Sequence, residues 1–160
     1  MQSNIHFRPA TSADIPTLMR FLQLIATFDG NPESFVADAD SLAFHMFGPT
    51  PRSHAILVMK GDTPIGFATY YFTFSTFLGK PGLWLDDLYI LDDERGHGTG
   101  TALLHHLAEV ARQAGCARVD WIVNQSNPKG IAFYQRLGAA IMDDYRLCRL
   151  DEAAVDAMLG

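Results

Sequence analysis

The apolar positions of the chain change period several times, and each change marks a new element. Alternation over Ile5 to Arg8, closed by Pro9, predicts a short strand. From Thr11 the period lengthens. Ile15, Leu18, Leu22 and Ile25 recur every three or four positions, one face of a helix running to about Thr27, and Thr11 and Asp14 are spaced as a capping box at its start. Asn31-Pro32 breaks the chain, a second short helix is expected over Ala39 to Phe47, and Gly48-Pro49 ends it. Ala55 to Met59 and the aromatic-rich Ile65 to Phe74 read as strands joined in a hairpin across Lys60 to Pro64.

After a turn at Gly79 to Gly82, Leu83 to Leu91 forms an apolar strand interrupted by two acids, Asp86 and Asp87. A glycine-rich stretch then opens a helix whose buried face is expected to be Leu103, Leu107, Val110 and Ala114, stopped by Gly115. Arg118 to Asn124 reads as the next strand. Pro128 suits the first turn of a short helix through Leu137, and Ala139 to Leu150 is expected to supply at least one last strand. The class is mixed α/β: a mostly antiparallel central sheet flanked by helices, with a strand–helix–strand unit behind it. No internal repeat or long linker divides the sequence, so residues 1–160 are expected to form one domain.

Composition narrows the function classes. The 160 residues are 48% hydrophobic and 19% charged, as in a compact globular protein rather than a disordered one. No apolar run approaches the ~20 residues of a membrane helix, and Met1 to Ala10 has no basic and apolar signal-peptide pattern, so the expectation is a cytoplasmic protein without a membrane partner. Twelve Lys and Arg against 18 Asp and Glu give a formal charge of −6, which argues against nucleic acid and favours cationic partners. The stretch between Arg20 and Arg52 holds no Lys or Arg but contains Asp29, Glu33, Asp38 and Asp40, either a solvated acidic face or the wall of a cleft for a positively charged substrate. Cys116 and Cys148 form no C-x-x-C pair and are expected to be buried thiols. His105 and His106 are sequence neighbours about 100° apart on a helix, which does not suit a shared metal, and no metal is expected.

The chemistry concentrates around residues 86–101. Glycines at 96, 98 and 100, between an apolar strand and an amphipathic helix, let backbone N–H groups approach an anion where the helix N-terminus adds roughly +0.5 of a charge. Phosphate is the expected guest, with Arg95 beside it. A P-loop would need Lys and Ser or Thr after the last glycine, where Thr101 and Ala102 stand. A dinucleotide fingerprint would need glycine at position 101, although Asp120, about 20 residues on, keeps that reading open.

The pattern Arg95-x-x-Gly98-x-Gly100, after a strand and opening a helix, resembles the acetyl-CoA pyrophosphate loop of the GNAT superfamily of N-acetyltransferases. Asn127, Phe133-Tyr134 and Arg136-Leu137-Gly138-Ala139 look like its second cofactor-contact region. Gly66-Phe67-Ala68, Tyr70 to Thr73, Gly79-Lys80 and Leu85-Asp86-Asp87-Leu88-Tyr89 are most similar to the diamine acetyltransferase branch, which includes spermidine/spermine and thialysine acetylating enzymes; Arg8 to Thr11 and Ala26 to Asp29 fit it too. The resemblance implies acetyl-CoA held by Leu88, Tyr89, Ile90, Arg95, Gly96, His97, Gly98, Thr99, Gly100, Thr101, Asn127 and Tyr134. It implies a small cationic amine near Phe28, Asp29 and Asp86, and a homodimer. Two departures bear on the acceptor: aspartate stands at 86 where the branch usually has glutamate, and Ser75-Thr76-Phe77 replaces the Asp-Pro-Trp turn of polyamine-acetylating members.

Elementary chemistry agrees with an amine acceptor. An alkyl ammonium with a pKa near 10.4 is deprotonated in about one molecule in a few thousand at pH 7, a cost of roughly 4–5 kcal/mol before attack on a thioester. Asp86 is expected to accept that proton directly or through water, its pKa raised by burial and by Asp87; the alternative is that the carboxylates cap backbone groups at a strand irregularity, which is the reading favoured for Asp87. A β-bulge there would free an N–H for the thioester carbonyl, with Leu88 the contact the resemblance implies. Tyr134, by its place in the motif, would protonate the departing thiolate. The expected reaction is direct acetyl transfer in a ternary complex. A catalytically silent acyl-CoA-binding regulatory module and a protein-lysine acetyltransferase remain as alternatives.

Overall fold

The computed structural model describes residues 5–160. They fall into two compact units, one ending at Ile122 and the other running Val123–Gly160.

The first unit is a five-stranded sheet in the order β1-β2-β3-β4-β5 with helices packed on it. β1 (Ile5–Pro9), β2 (His54–Lys60), β3 (Thr63–Ser75) and β4 (Lys80–Ile90) pair antiparallel in sequence order. β5 (Val119–Asp120) pairs parallel to β4 after the crossover helix α3 (Thr99–Gln113), so the expected strand–helix–strand unit is present. α1 (Ile15–Phe28) and α2 (Ala39–Phe47) lie between β1 and β2 in the chain. The capping pattern at Thr11 is realised: the Asp14 carboxylate accepts from the Thr11 N–H at 2.8 Å and from both Arg8 nitrogens at 2.7 and 2.8 Å.

Two cores follow from the period of β2. Ile56 and Val58 pack with Leu83, Leu85, Ile90 and the α3 residues Leu103, Leu107 and Ala111, whereas Ala55, Leu57 and Met59 pack with Phe67, Tyr89 and the α1 residues Leu18 and Phe21. A strand buried on both faces reads as a continuous apolar run, which is what Ala55 to Met59 is. Each fully buried Leu or Phe contributes about 1.5–3 kcal/mol. Gly66 is required by close approach: a Cβ there would lie 2.6 Å from the Tyr89 carbonyl oxygen.

Several expectations are corrected. The α3 stripe runs Leu103, Leu107, Ala111, and Ala114 is exposed at the helix end, because i, i+4 spacing keeps one face. The strand expected over Arg118 to Asn124 shrinks to two residues. In the second unit α4 (Pro128–Arg136) forms as expected, but the segment 139–150 contains no strand, and Ile141, Met142, Tyr145, Leu147 and Leu150 are all exposed. An unanticipated helix, α5 (Glu152–Leu159), follows, its first turn capped by Asp151, which accepts from the Ala154 N–H at 2.9 Å. Cys116 is half-buried and Cys148 exposed, so neither is the fully buried thiol expected. Among the described residues no helix is long and apolar enough to cross a membrane.

Candidate active site

The pairing of β3 with β4 slips by one residue at the two acids. Thr69 faces Asp87 and Tyr70 faces Leu85, so Asp86 is the extra residue of a β-bulge. The bulge resets the parity of β4: Leu83 and Leu85 pack toward α3 before it, Ile90 packs toward α3 after it, and Tyr89 turns to the α1 side. The two neighbouring carboxyls consequently meet different surroundings. Asp86 is exposed, and its charge acts on Tyr71, whose phenol is pushed up by burial and then by Asp86. The burial expected at Asp86 falls on Asp87 instead, whose carboxyl is raised chiefly by desolvation, pulled back by a hydrogen bond from Thr69, and raised further by Asp86 and Asp29.

Asp29 reaches this cluster from the C-terminal end of α1. It lies at the surface, yet partial desolvation raises its carboxyl as well. Its neighbour Phe28 meets Tyr89 edge-on with ring centres 6.2 Å apart. The structure thus brings three predicted acceptor-site residues, Phe28, Asp29 and Asp86, to the bulge region of β4. Tyr89 and Ile90 are buried in the two cores, while Leu88 is half-buried.

The loop after β4 has the expected geometry. Gly96 and Gly98 adopt φ of 81° and 83°, a left-handed conformation that favours glycine, and a Cβ on either would meet nothing within 4 Å. That open space borders the first turn of α3. Gly96, His97, Gly98 and Thr101 are exposed and Gly100 is half-buried. The Thr99 hydroxyl is buried without a hydrogen-bond partner among the described residues. A left-handed glycine loop, a helix start and an orphaned hydroxyl fit an anionic group of a cofactor such as the pyrophosphate of acetyl-CoA. Arg95 is turned back toward the sheet: its Nε donates to the Ile90 carbonyl at 2.8 Å, and Nη1 pairs with Asp92 at 2.8 Å.

A sequence model of the acetyltransferase (GNAT) family matches residues 18–139. The chain belongs to that family. GNAT acetyltransferases use acetyl-CoA, and the loop at 95–101 has the residue types and backbone conformation to receive it. Among curated relatives, a thialysine N-epsilon-acetyltransferase of Mus musculus is 28% identical, with 86% of this chain and 85% of that protein covered. An L-ornithine N5-acetyltransferase of Arabidopsis thaliana is 27% identical, covering 94% and 86%. Among solved structures, an integron cassette protein of V. cholerae superposes with a TM-score of 0.80 at 24% identity, covering 99% of both chains, which shows the fold.

The other two predicted cofactor residues of this GNAT chain lie in the second unit. Asn127 caps α4, its Oδ1 accepting from the Gly130 N–H at 2.9 Å. Tyr134 is half-buried on α4, its ring centre 5.3 Å from that of Phe133. The sequence points to Asp87 as a backbone cap and does not single out Thr69, whose hydroxyl meets both the N–H and the carboxylate of Asp87. The available signal is Thr69 as a polar residue within the apolar and aromatic run Ile65 to Phe72 of β3, next to a strand that carries two acids.

Proposed function

We propose that this acetyltransferase moves acetyl from acetyl-CoA to a primary amine of a small cationic acceptor, a short diamine, a polyamine or a lysine-like amine, by direct transfer in a ternary complex. The observation that carries the reading is the gathering of Asp29, Asp86 and Asp87 around the bulge, coupled through their charges. Among the described residues none of the three is in an ion pair, so a cationic guest would relieve their mutual repulsion. The relatives' names add support, since ornithine and thialysine are both amino acids with a side-chain amine.

Acetyl-CoA supplies an activated acetyl thioester. Gly96, Gly98 and the first turn of α3 would hold its pyrophosphate, and the Leu88 backbone would contact its carbonyl. Asp86, exposed at the bulge, would take the ammonium proton directly or through water. For Tyr134 the support is its place in the motif: its phenol would return a proton to the departing thiolate. The same resemblance supports a homodimer in the cytoplasm, which light scattering at micromolar concentration checks by mass.

The deciding experiment is thiol release from acetyl-CoA across diamines, polyamines, basic amino acids and amino sugars. Short diamines or lysine-like amines are expected to exceed spermine in kcat/KM, because Ser75-Thr76-Phe77 lacks the acid and indole of the polyamine branch. A clear spermine preference would overturn the size assignment. Absence of amine-dependent release across the panel would overturn the amine reading.

A further inference from the structure

Among the described residues only two polar ones are buried, Thr99 at the glycine loop and Thr69 on β3 opposite the bulge. The Thr69 hydroxyl accepts from the Asp87 backbone N–H at 3.2 Å and donates to the Asp87 carboxylate at 2.5 Å. One side chain therefore grips both the backbone and the acid of the residue that follows the bulge. Valine would fill nearly the same volume and make neither bond.

We infer that Thr69 is a positioning residue: by clamping the backbone and carboxylate of Asp87 it fixes the bulge and keeps a negative charge directed at the acceptor amine. The inference rests on the amine reading and deepens it. The groups acting on Asp87 are Asp86 on its own strand, Asp29 at the end of α1 and Thr69 on β3; the two acids favour its protonated form and Thr69 alone opposes them. Loss of the Thr69 hydroxyl thus moves Asp87 toward neutrality at a higher pH and removes attraction for an ammonium. The effect belongs first in the KM of the amine, because neither the Thr69 nor the Asp87 side chain is placed against acetyl-CoA.

The test compares wild type, Thr69→Ser, Thr69→Val and Asp87→Asn, each first shown to be folded by circular dichroism. Thr69→Val is expected to raise the amine KM about tenfold near pH 7, with kcat and the acetyl-CoA KM within about twofold. The acid limb of kcat/KM should shift to higher pH. Thr69→Ser should restore wild-type behaviour, and adding Thr69→Val to Asp87→Asn should cost nothing more. Independently of turnover, the carbon-13 titration of the Asp87 carboxyl should move upward in Thr69→Val and not in Thr69→Ser. If Thr69→Val does not fold, Thr69→Ser against Thr69→Ala makes the same comparison. An unmoved titration, or an unchanged amine KM in a folded variant, overturns the role of Thr69. Should the wild type acetylate no amine, the amine reading falls by itself, while the Asp87 titration still decides whether Thr69 controls that carboxyl.

Discussion

The guanidinium carbon of Arg95 lies 4.9 Å from the ring centre of Tyr89. It is also 4.8 Å from that of Phe28, so one cation stacks on two rings that come from different elements. The loop, the end of β4 and the end of α1 are thereby tied at one point. Each such contact contributes about 0.5–1 kcal/mol at a partly exposed site. Arg95→Ala should lower the melting temperature by a few degrees and weaken acetyl-CoA binding several-fold. Arg95→Lys should recover little, since an ammonium cannot stack flat while also donating to the Ile90 carbonyl. Calorimetry checks the affinity, and an unaltered Kd in both variants would count against this anchoring.

Gly98 is constrained by its backbone conformation rather than by neighbours, as its φ of 83° and the open space around it show. Gly98→Val should cost about 1–2 kcal/mol in stability and abolish CoA binding in a protein that still folds. CoA affinity equal to wild type would sink the assignment of the loop.

Asp86 and Tyr134 should fail differently. Asp86→Asn keeps shape and removes the proton acceptor, so kcat/KM for the amine should fall by roughly 10²–10⁴ at neutral pH and recover in part as pH rises. Tyr134→Phe should lower kcat with little change in CoA affinity, and high pH should not rescue it. Near wild-type turnover in both variants would refute the acid and base roles.

Arg8 and Thr11 together hold the Asp14 carboxyl well below the usual carboxylate range. A depressed pKa means that its contribution is complete above about pH 4, where the unfolded carboxyl titrates, and is lost as pH falls through the folded value. Asp14→Asn should therefore lower stability by about 1–2 kcal/mol at pH 7, with the difference closing only in strong acid. Thermal melts at pH 7 and pH 2 test this.

The period of the apolar positions is enough to place β1 to β4, α1 and α3, because each buries a face whose spacing is visible locally; α2 and α4 are legible from their Pro and Gly boundaries instead, and α4 buries no residue fully. Two acids in an apolar strand suggest the bulge, but the sequence points to burial of Asp86 and the structure buries Asp87. One inserted residue inverts the parity of everything after it, and register depends on the partner strand rather than on β4 itself. The segment 139–150 fails for a related reason: its apolar residues suggest a strand, but a strand exists only where another supplies a ladder, and within the second unit none does. For α5 the signal is Asp151, an N-cap residue three positions before Ala154. Arg95 was legible as a loop residue but not as a stacked one, since its two aromatic partners lie far from it in sequence or on another element.

β5 pairs with β4 only at Leu83 and Trp84. β4 is thus an interior strand at Leu83 and Trp84 and, from Leu85 onward, a strand with no ladder partner on that side among the described residues. Backbone groups along such a margin exchange with solvent readily, and an extended ligand bearing its own amides can line up there as a transient sixth strand without displacing anything in the sheet. Amide exchange at Leu88 and Ile90 would accordingly report occupancy directly, slowing when acetyl-CoA is bound and quickening when it leaves.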